Sequence, residues 1–90
     1  MKTLRVYISG TVQGQLFRKF VEENAKIIGV RGYVRNMEDG RVEVVMEGRD
    51  DKVLQLLEIC KRGTIQSKVR EVEIRELTNQ GFKDFKIMNL

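Results

Sequence analysis

The sequence predicts an α+β sandwich, one mainly antiparallel sheet with two helices packed on one of its faces. Three observations lead there. Apolar residues recur at period two in the opening stretch and again around an Asp-Gly pair, and they recur at three-and-four spacing in two longer stretches. Along the chain these patterns run strand, helix, strand, strand, helix, strand, with a short extra strand at the end. The 90 residues, 41% of them apolar, match one domain spanning residues 1–90 with a single core.

Leu4, Val6 and Ile8 alternate with Arg5, Tyr7 and Ser9, which marks a half-buried strand ending near Gly10. The loop TVQGQL follows. Phe17, Phe20, Val21, Ala25 and Ile28 then line one face of a helix that Gly29 closes. Val30 to Asn36 suits a second strand, and Asp39-Gly40 turns the chain into a third, on which Val42, Val44 and Met46 alternate with polar residues. Asp50 or Asp51 can cap the second helix, whose apolar stripe is Val53, Leu56, Leu57 and Cys60 and which Arg62-Gly63 ends. Ile65 to Leu77 is rich in β-branched residues, with a change of phase between Val69 and Val72 such as a bulge causes. Phe82, Phe85 and Ile87 form the final short strand. Two split βαβ units account for this order most simply, giving a ferredoxin-like βαββαβ sandwich. In such a unit the first two strands run parallel, so the loop at Gly10 to Arg18 and the side chain of Asn36 are expected at one edge of the sheet.

Composition narrows the chemistry. There is no histidine and one cysteine, so a catalytic triad or an imidazole base is excluded and no internal disulfide can form. A zinc site would have to be built from carboxylates and one thiolate. Cys60 lies on the apolar stripe of a helix and reads as a buried core thiol. The formal charge of +4 favours an anionic ligand, but it is short of the dense basic stripe of a dedicated nucleic-acid binder, and an ordinary Lys- and Arg-rich surface accounts for it equally. The opening MKTLRVYISG has neither the apolar run of a membrane span nor the pattern of a signal peptide, so the chain reads as soluble and cytoplasmic.

The loop from Gly10 to Arg18 is the candidate site. Gly10 and Gly14 bracket a connection that leads straight into a helix, and no Ser, Thr, Asp or Asn stands at Gly14, Gln15 or Leu16 to cap it. An anion could take the place of that cap, drawn by the free amides and the positive end of the helix dipole. Arg18 projects from the same turn with a planar fork that can hold two phosphate oxygens. On residue types alone, a tight turn beside a solvated arginine fits as well, and Asn36 fits a turn residue bonding its own backbone.

GTVQGQLFR, Gly10 to Arg18, resembles the signature G-x-V-Q-G-V-x-F-R of the acylphosphatase family. GVRGYVRNMEDGRVEVVMEG, Gly29 to Gly48, is similar to that family's second block at Gly32, Val34, Asn36, Asp39, Gly40, Val42 and Gly48, and FKDFKI resembles its closing strand. The resemblance implies the ferredoxin-like fold and the hydrolysis of acylphosphates to a carboxylate and inorganic phosphate, with no metal and no cofactor. It carries the family's phosphate-binding arginine onto Arg18 and its water-orienting asparagine onto Asn36. The backbone amides of Gly14, Gln15, Leu16, Phe17 and Arg18 would complete the phosphate cradle. The expected partner is a small-molecule acylphosphate, for a monomer that binds neither nucleic acid nor membrane. Two departures stand out: Gln15 replaces the family's valine, and no proline occurs near Gly63 to Ser67, where relatives often carry one.

The competing function is a non-catalytic ferredoxin-like module that binds nucleic acid or another anionic ligand on its open sheet face. An RNA-recognition motif would carry paired aromatics in a K/R-G-F/Y-G/A-F-V-x-F/Y string, and the chain has none, only Tyr7 and Tyr33. A metabolite-binding regulatory domain is the third reading that the fold allows.

Overall fold

The computed structural model describes residues 1–89. The elements are β1 (Lys2–Thr11), α1 (Gln15–Ile28), β2 (Arg31–Asn36), β3 (Val42–Gly48), α2 (Asp50–Arg62), β4 (Lys68–Leu77) and β5 (Phe85–Met88). They build one five-stranded sheet in the order β4-β1-β3-β2-β5, with β5 parallel to β2 and every other pair antiparallel. This is the ferredoxin-like sandwich with the extra terminal strand on the outer edge.

Because strand side chains alternate between faces, the register decides what each face carries. Ile8 pairs with Val42 and Val42 with Asn36; Val6 pairs with Val44 and Val44 with Val34. These rows lie under the helices, α1 over β2 and β5, α2 over β1, β3 and β4. Ile8, Val42, Val44 and Val34 meet Phe17, Val21, Ala25, Val53, Leu56 and Cys60 in the core. Burial pushes the Cys60 thiol up to about 12, so it stays protonated and inert at neutral pH.

Gly29 ends α1 in the left-handed conformation, its amide donating to the Ala25 carbonyl at 2.8 Å. The phase change in β4 is a bulge: Ser9 pairs with Glu71 and Gly10 with Val69, which leaves Arg70 as the extra residue. Gly10 is required there, because a Cβ at that position would lie 2.0 Å from the Lys68 carbonyl oxygen.

Four details differ from the sequence reading. Neither aspartate caps α2: its N-cap is Arg49, without a side-chain cap bond, and Asp50 and Asp51 lie in the first turn, where they complement the dipole. Strand β4 begins only at Lys68, because the Ser67 hydroxyl accepts the Thr64 amide at 2.7 Å and closes a turn that leaves Ile65 exposed. Phe82 precedes β5 and packs edge-on against Tyr33 on the open face, with centroids 5.9 Å apart.

The fourth concerns β3, which is buried on both faces, Glu43 and Glu47 included. The connection between β4 and β5 crosses the open face, and Glu47 anchors it. Its carboxylate accepts the Thr3 hydroxyl at 2.7 Å, the Gly81 and Phe82 amides at 3.0 Å, and the Gln80 amide. Burial alone would raise the pKa of Glu47, but these donors outweigh it and hold the carboxyl below the usual glutamate range. A depressed folded-state pKa contributes stability above the unfolded value and loses it as pH falls through the folded one. Glu47→Gln is therefore expected to lower stability by roughly 2 kcal/mol or more at pH 7, since it trades a charged acceptor for a neutral amide. Thermal melts should show the wild type and the variant converging as the medium is acidified below that range.

Candidate active site

The start of α1 has the character expected of an anion site. Gly14 occupies the N-cap at φ 117°, no side chain bonds the first-turn amides, and that turn carries no acidic residue. A Cβ at Gly14 would meet nothing within 4 Å, so the space over the backbone is open, while the positive φ still calls for glycine. Gln15 and Leu16 are exposed, whereas Phe17 packs into the core and fixes the helix end against it.

Arg18 is 9% exposed, unusual for an arginine one turn into a surface helix. Its guanidinium folds back along the helix start. Nε donates to the Gly14 carbonyl at 3.3 Å and one terminal nitrogen donates to Asn89 Oδ1 at 2.8 Å. A guanidinium has five N–H donors, and among the described residues these two bonds are the ones Arg18 makes. The depression in front of it is lined by Gln15, Arg18, Lys19, Ile87 and Asn89.

Asn36 ends β2 on the helix-covered face, level with Val42 and, one strand further, Ile8. Two ladder spacings separate it from β1, about 10 Å. Its Oδ1 is buried and receives no hydrogen bond among the described residues. A buried acceptor without a donor costs roughly 1–3 kcal/mol, and native proteins keep few of them. Asn36 opens on its own depression with Arg35, Met37, Glu38 and Asp39, so Arg18 and Asn36 occupy one edge of the molecule without sharing a pocket.

Two side chains that sequence reasoning did not single out tie this edge together. The Gln13 amide donates to the carbonyls of Met37 at 2.7 Å and Arg41 at 3.3 Å, which fastens the glycine loop to the hairpin that follows Asn36. Asn89, the partner of Arg18, continues β5 beyond Met88. The alternation of Phe85 and Ile87 extends to residue 89, but nothing in the local sequence marks either side chain as the partner of a distant group. Gln15, the departure from the family pattern, stands on the rim, and its side-chain amide makes no hydrogen bond among the described residues. No group of three or more Cys, Asp or Glu side chains converges on a metal-binding geometry among the described residues.

A family model described as Acylphosphatase matches residues 4–87. The chain belongs to the acylphosphatase family. It is 40% identical to an acylphosphatase of Methanocella arvoryzae over 97% of its own length and 99% of that protein's. With an acylphosphatase of Syntrophobacter fumaroxidans it shares 51% identity over 79% of its length and 73% of the relative's. The crystal structure of an acylphosphatase from Bacillus subtilis superposes with a TM-score of 0.94 at 34% identity, covering 99% of this chain and all of that one. The chain is accordingly an acylphosphatase, hydrolysing the carboxyl-phosphate bond of a small-molecule acylphosphate to a carboxylate and inorganic phosphate. No helix among the described residues is long and apolar enough to cross a membrane.

Proposed function

We propose that acylphosphate hydrolysis by this enzyme is divided between the start of α1, which holds the phosphoryl group, and Asn36, which holds the water. The observation that carries the proposal is the folded-back Arg18 guanidinium over an uncapped helix start, at the same edge as an unpaired buried Asn36 Oδ1. The amides of Gly14, Gln15, Leu16, Phe17 and Arg18 and the guanidinium N–H groups grip the phosphoryl oxygens. They stabilise the charge those oxygens carry in the transition state. Asn36 holds the water through its side-chain amide and aims the water's oxygen at phosphorus.

As that oxygen bonds to phosphorus, the P–O bond to the acyl group breaks and the carboxylate leaves with the electron pair. A substrate phosphate oxygen takes the water's proton. No general base is needed, because the anhydride has a good leaving group and a loose phosphoryl-transfer transition state depends on placement and electrostatics. The chain is proposed to act as one domain and as a cytoplasmic monomer, without metal or cofactor. Benzoyl phosphate hydrolysis tests the chemistry: the expected rate is the same with and without chelator, and dependence on added metal contradicts it.

The second reading, nucleic-acid binding on the open face, is disfavoured by the chemistry of that face. Buried Glu43 pairs with Arg5 at 3.2 Å and with Arg35, and accepts the Tyr33 hydroxyl at 3.2 Å. Phe82 covers Tyr33, and Arg41 stacks on Tyr7 at 4.6 Å. Both tyrosines and three of the basic side chains, Arg5, Arg35 and Arg41, are thus engaged within the protein.

Gln15→Val is expected to leave kcat/KM equal to or a few-fold above wild type. The cradle uses the amide of residue 15, and a β-branched side chain stiffens the backbone carrying it. A slower variant in the benzoyl phosphate assay contradicts this account of the loop.

A further inference from the structure

We propose that the groove between the cradle and the turn before β4 receives the acyl group of the substrate, with the Leu16 side chain as its apolar wall. The enzyme then favours an apolar, ring-sized acyl group over a short one. The inference rests on the placing of phosphate at the start of α1 and of water at Asn36. Leu16 is 71% exposed although its backbone belongs to the first turn of α1. Across the groove stand Thr64, Gln66 and Ser67, and the buried Val12 and Phe17 lie beneath. The volume is about 110 Å³, several times the roughly 10–15 Å³ that one water molecule needs. The far wall is a fixed turn: Ser67 Oγ accepts the Thr64 amide at 2.7 Å, and the Ser67 amide donates to the Thr64 carbonyl at 3.2 Å.

In-line displacement sets the attacking water and the departing acyl oxygen on opposite sides of phosphorus. Asn36 ends β2, and the sheet order β4-β1-β3-β2-β5 sets β2 two strands away from β1. Water held there approaches from the β2 side, so the acyl oxygen departs toward β1 and β4. The turn at residues 64–67 lies on that side, because it leads into Lys68, which pairs with Thr11 at the end of β1. The groove begins where the leaving group points. The depression in front of Arg18 carries Lys19 as well and suits the charged phosphoryl oxygens, which leaves the groove for the uncharged end of the substrate. There Leu16 offers apolar surface that a ring can cover and a methyl group scarcely reaches.

The test compares benzoyl phosphate with acetyl phosphate in each protein and reads the ratio of their kcat/KM values. Both substrates present the same phosphoryl group, so a disturbed cradle slows both and leaves the ratio in place. Leu16→Ala is expected to lower the ratio roughly three- to tenfold, and Leu16→Met to hold it within about twofold of wild type. Gln66→Leu, an exposed position outside the cradle, adds apolar surface to the far wall and should raise the ratio about two- to fivefold. Inhibition by inorganic phosphate, which has no acyl group to place, is measured alongside, with Arg18→Ala in parallel. If Leu16→Ala or Gln66→Leu keeps the wild-type ratio while Arg18→Ala loses phosphate inhibition, the acyl groove is overturned and the phosphate assignment stands. If Arg18→Ala leaves phosphate inhibition unchanged, both fall. Equal losses on the two substrates in Leu16→Ala would make Leu16 a support of the cradle alone and also overturn the proposal.

Discussion

Arg18→Ala is expected to abolish measurable phosphate binding. The guanidinium would give the phosphoryl group two charge-assisted hydrogen bonds, worth about 1.5–3 kcal/mol each, so their loss weakens binding by roughly 10²- to 10⁴-fold. The first-turn amides remain, but alone they are an ordinary helix start. The fold should survive. Among the described residues the groups left behind are the Gly14 carbonyl and the exposed Asn89 amide, both of which water can reach. Competitive inhibition by inorganic phosphate, together with a melting curve, separates lost binding from lost structure.

Asn36→Ala is expected to behave in the opposite way. Its kcat should fall by about 10²-fold or more, the size of effect seen when one preorganised polar group is removed from a transition state. Phosphate inhibition should be unchanged. The structure adds a sharper expectation: because Asn36 Oδ1 is buried and unpaired among the described residues, removing it leaves no orphaned partner and relieves a desolvation cost. The variant should melt at or above the wild-type temperature. A residue kept for the architecture of the turn would instead destabilise the protein when truncated. Equal phosphate-binding defects in Arg18→Ala and Asn36→Ala would undo the division of roles.

Most of the fold was legible in the sequence, because apolar periodicity is a direct imprint of which face is buried. Val6, Val44 and Val34 fall in one row under the helices as their alternation implies, and the broken alternation after Val69 is the bulge at Arg70. The reading failed where burial is produced by polar partners. Glu43 and Glu47 alternate with valines as solvent-facing residues do, yet two arginines and a tyrosine enclose the one, and the Gln80 to Phe82 backbone closes over the other. Such contacts join residues more than thirty positions apart in the case of Glu47, and no local pattern encodes them.

At the site the same boundary holds. The uncapped helix start and the glycine at Gly14 were visible as local chemistry, and the parallel run of β1 and β2 put Asn36 at the same edge. The clasp from Gln13 and the contact from Asn89 were not visible, since each depends on where a distant backbone or side chain ends up.

The cradle itself can be tested by titrating isotopically labelled protein with inorganic phosphate and following the backbone amides by NMR. The account predicts that the largest shifts fall on Gly14, Gln15, Leu16, Phe17 and Arg18, and that they vanish in Arg18→Ala. Shifts centred on the open sheet face, or undiminished shifts at these amides in Arg18→Ala, would contradict it.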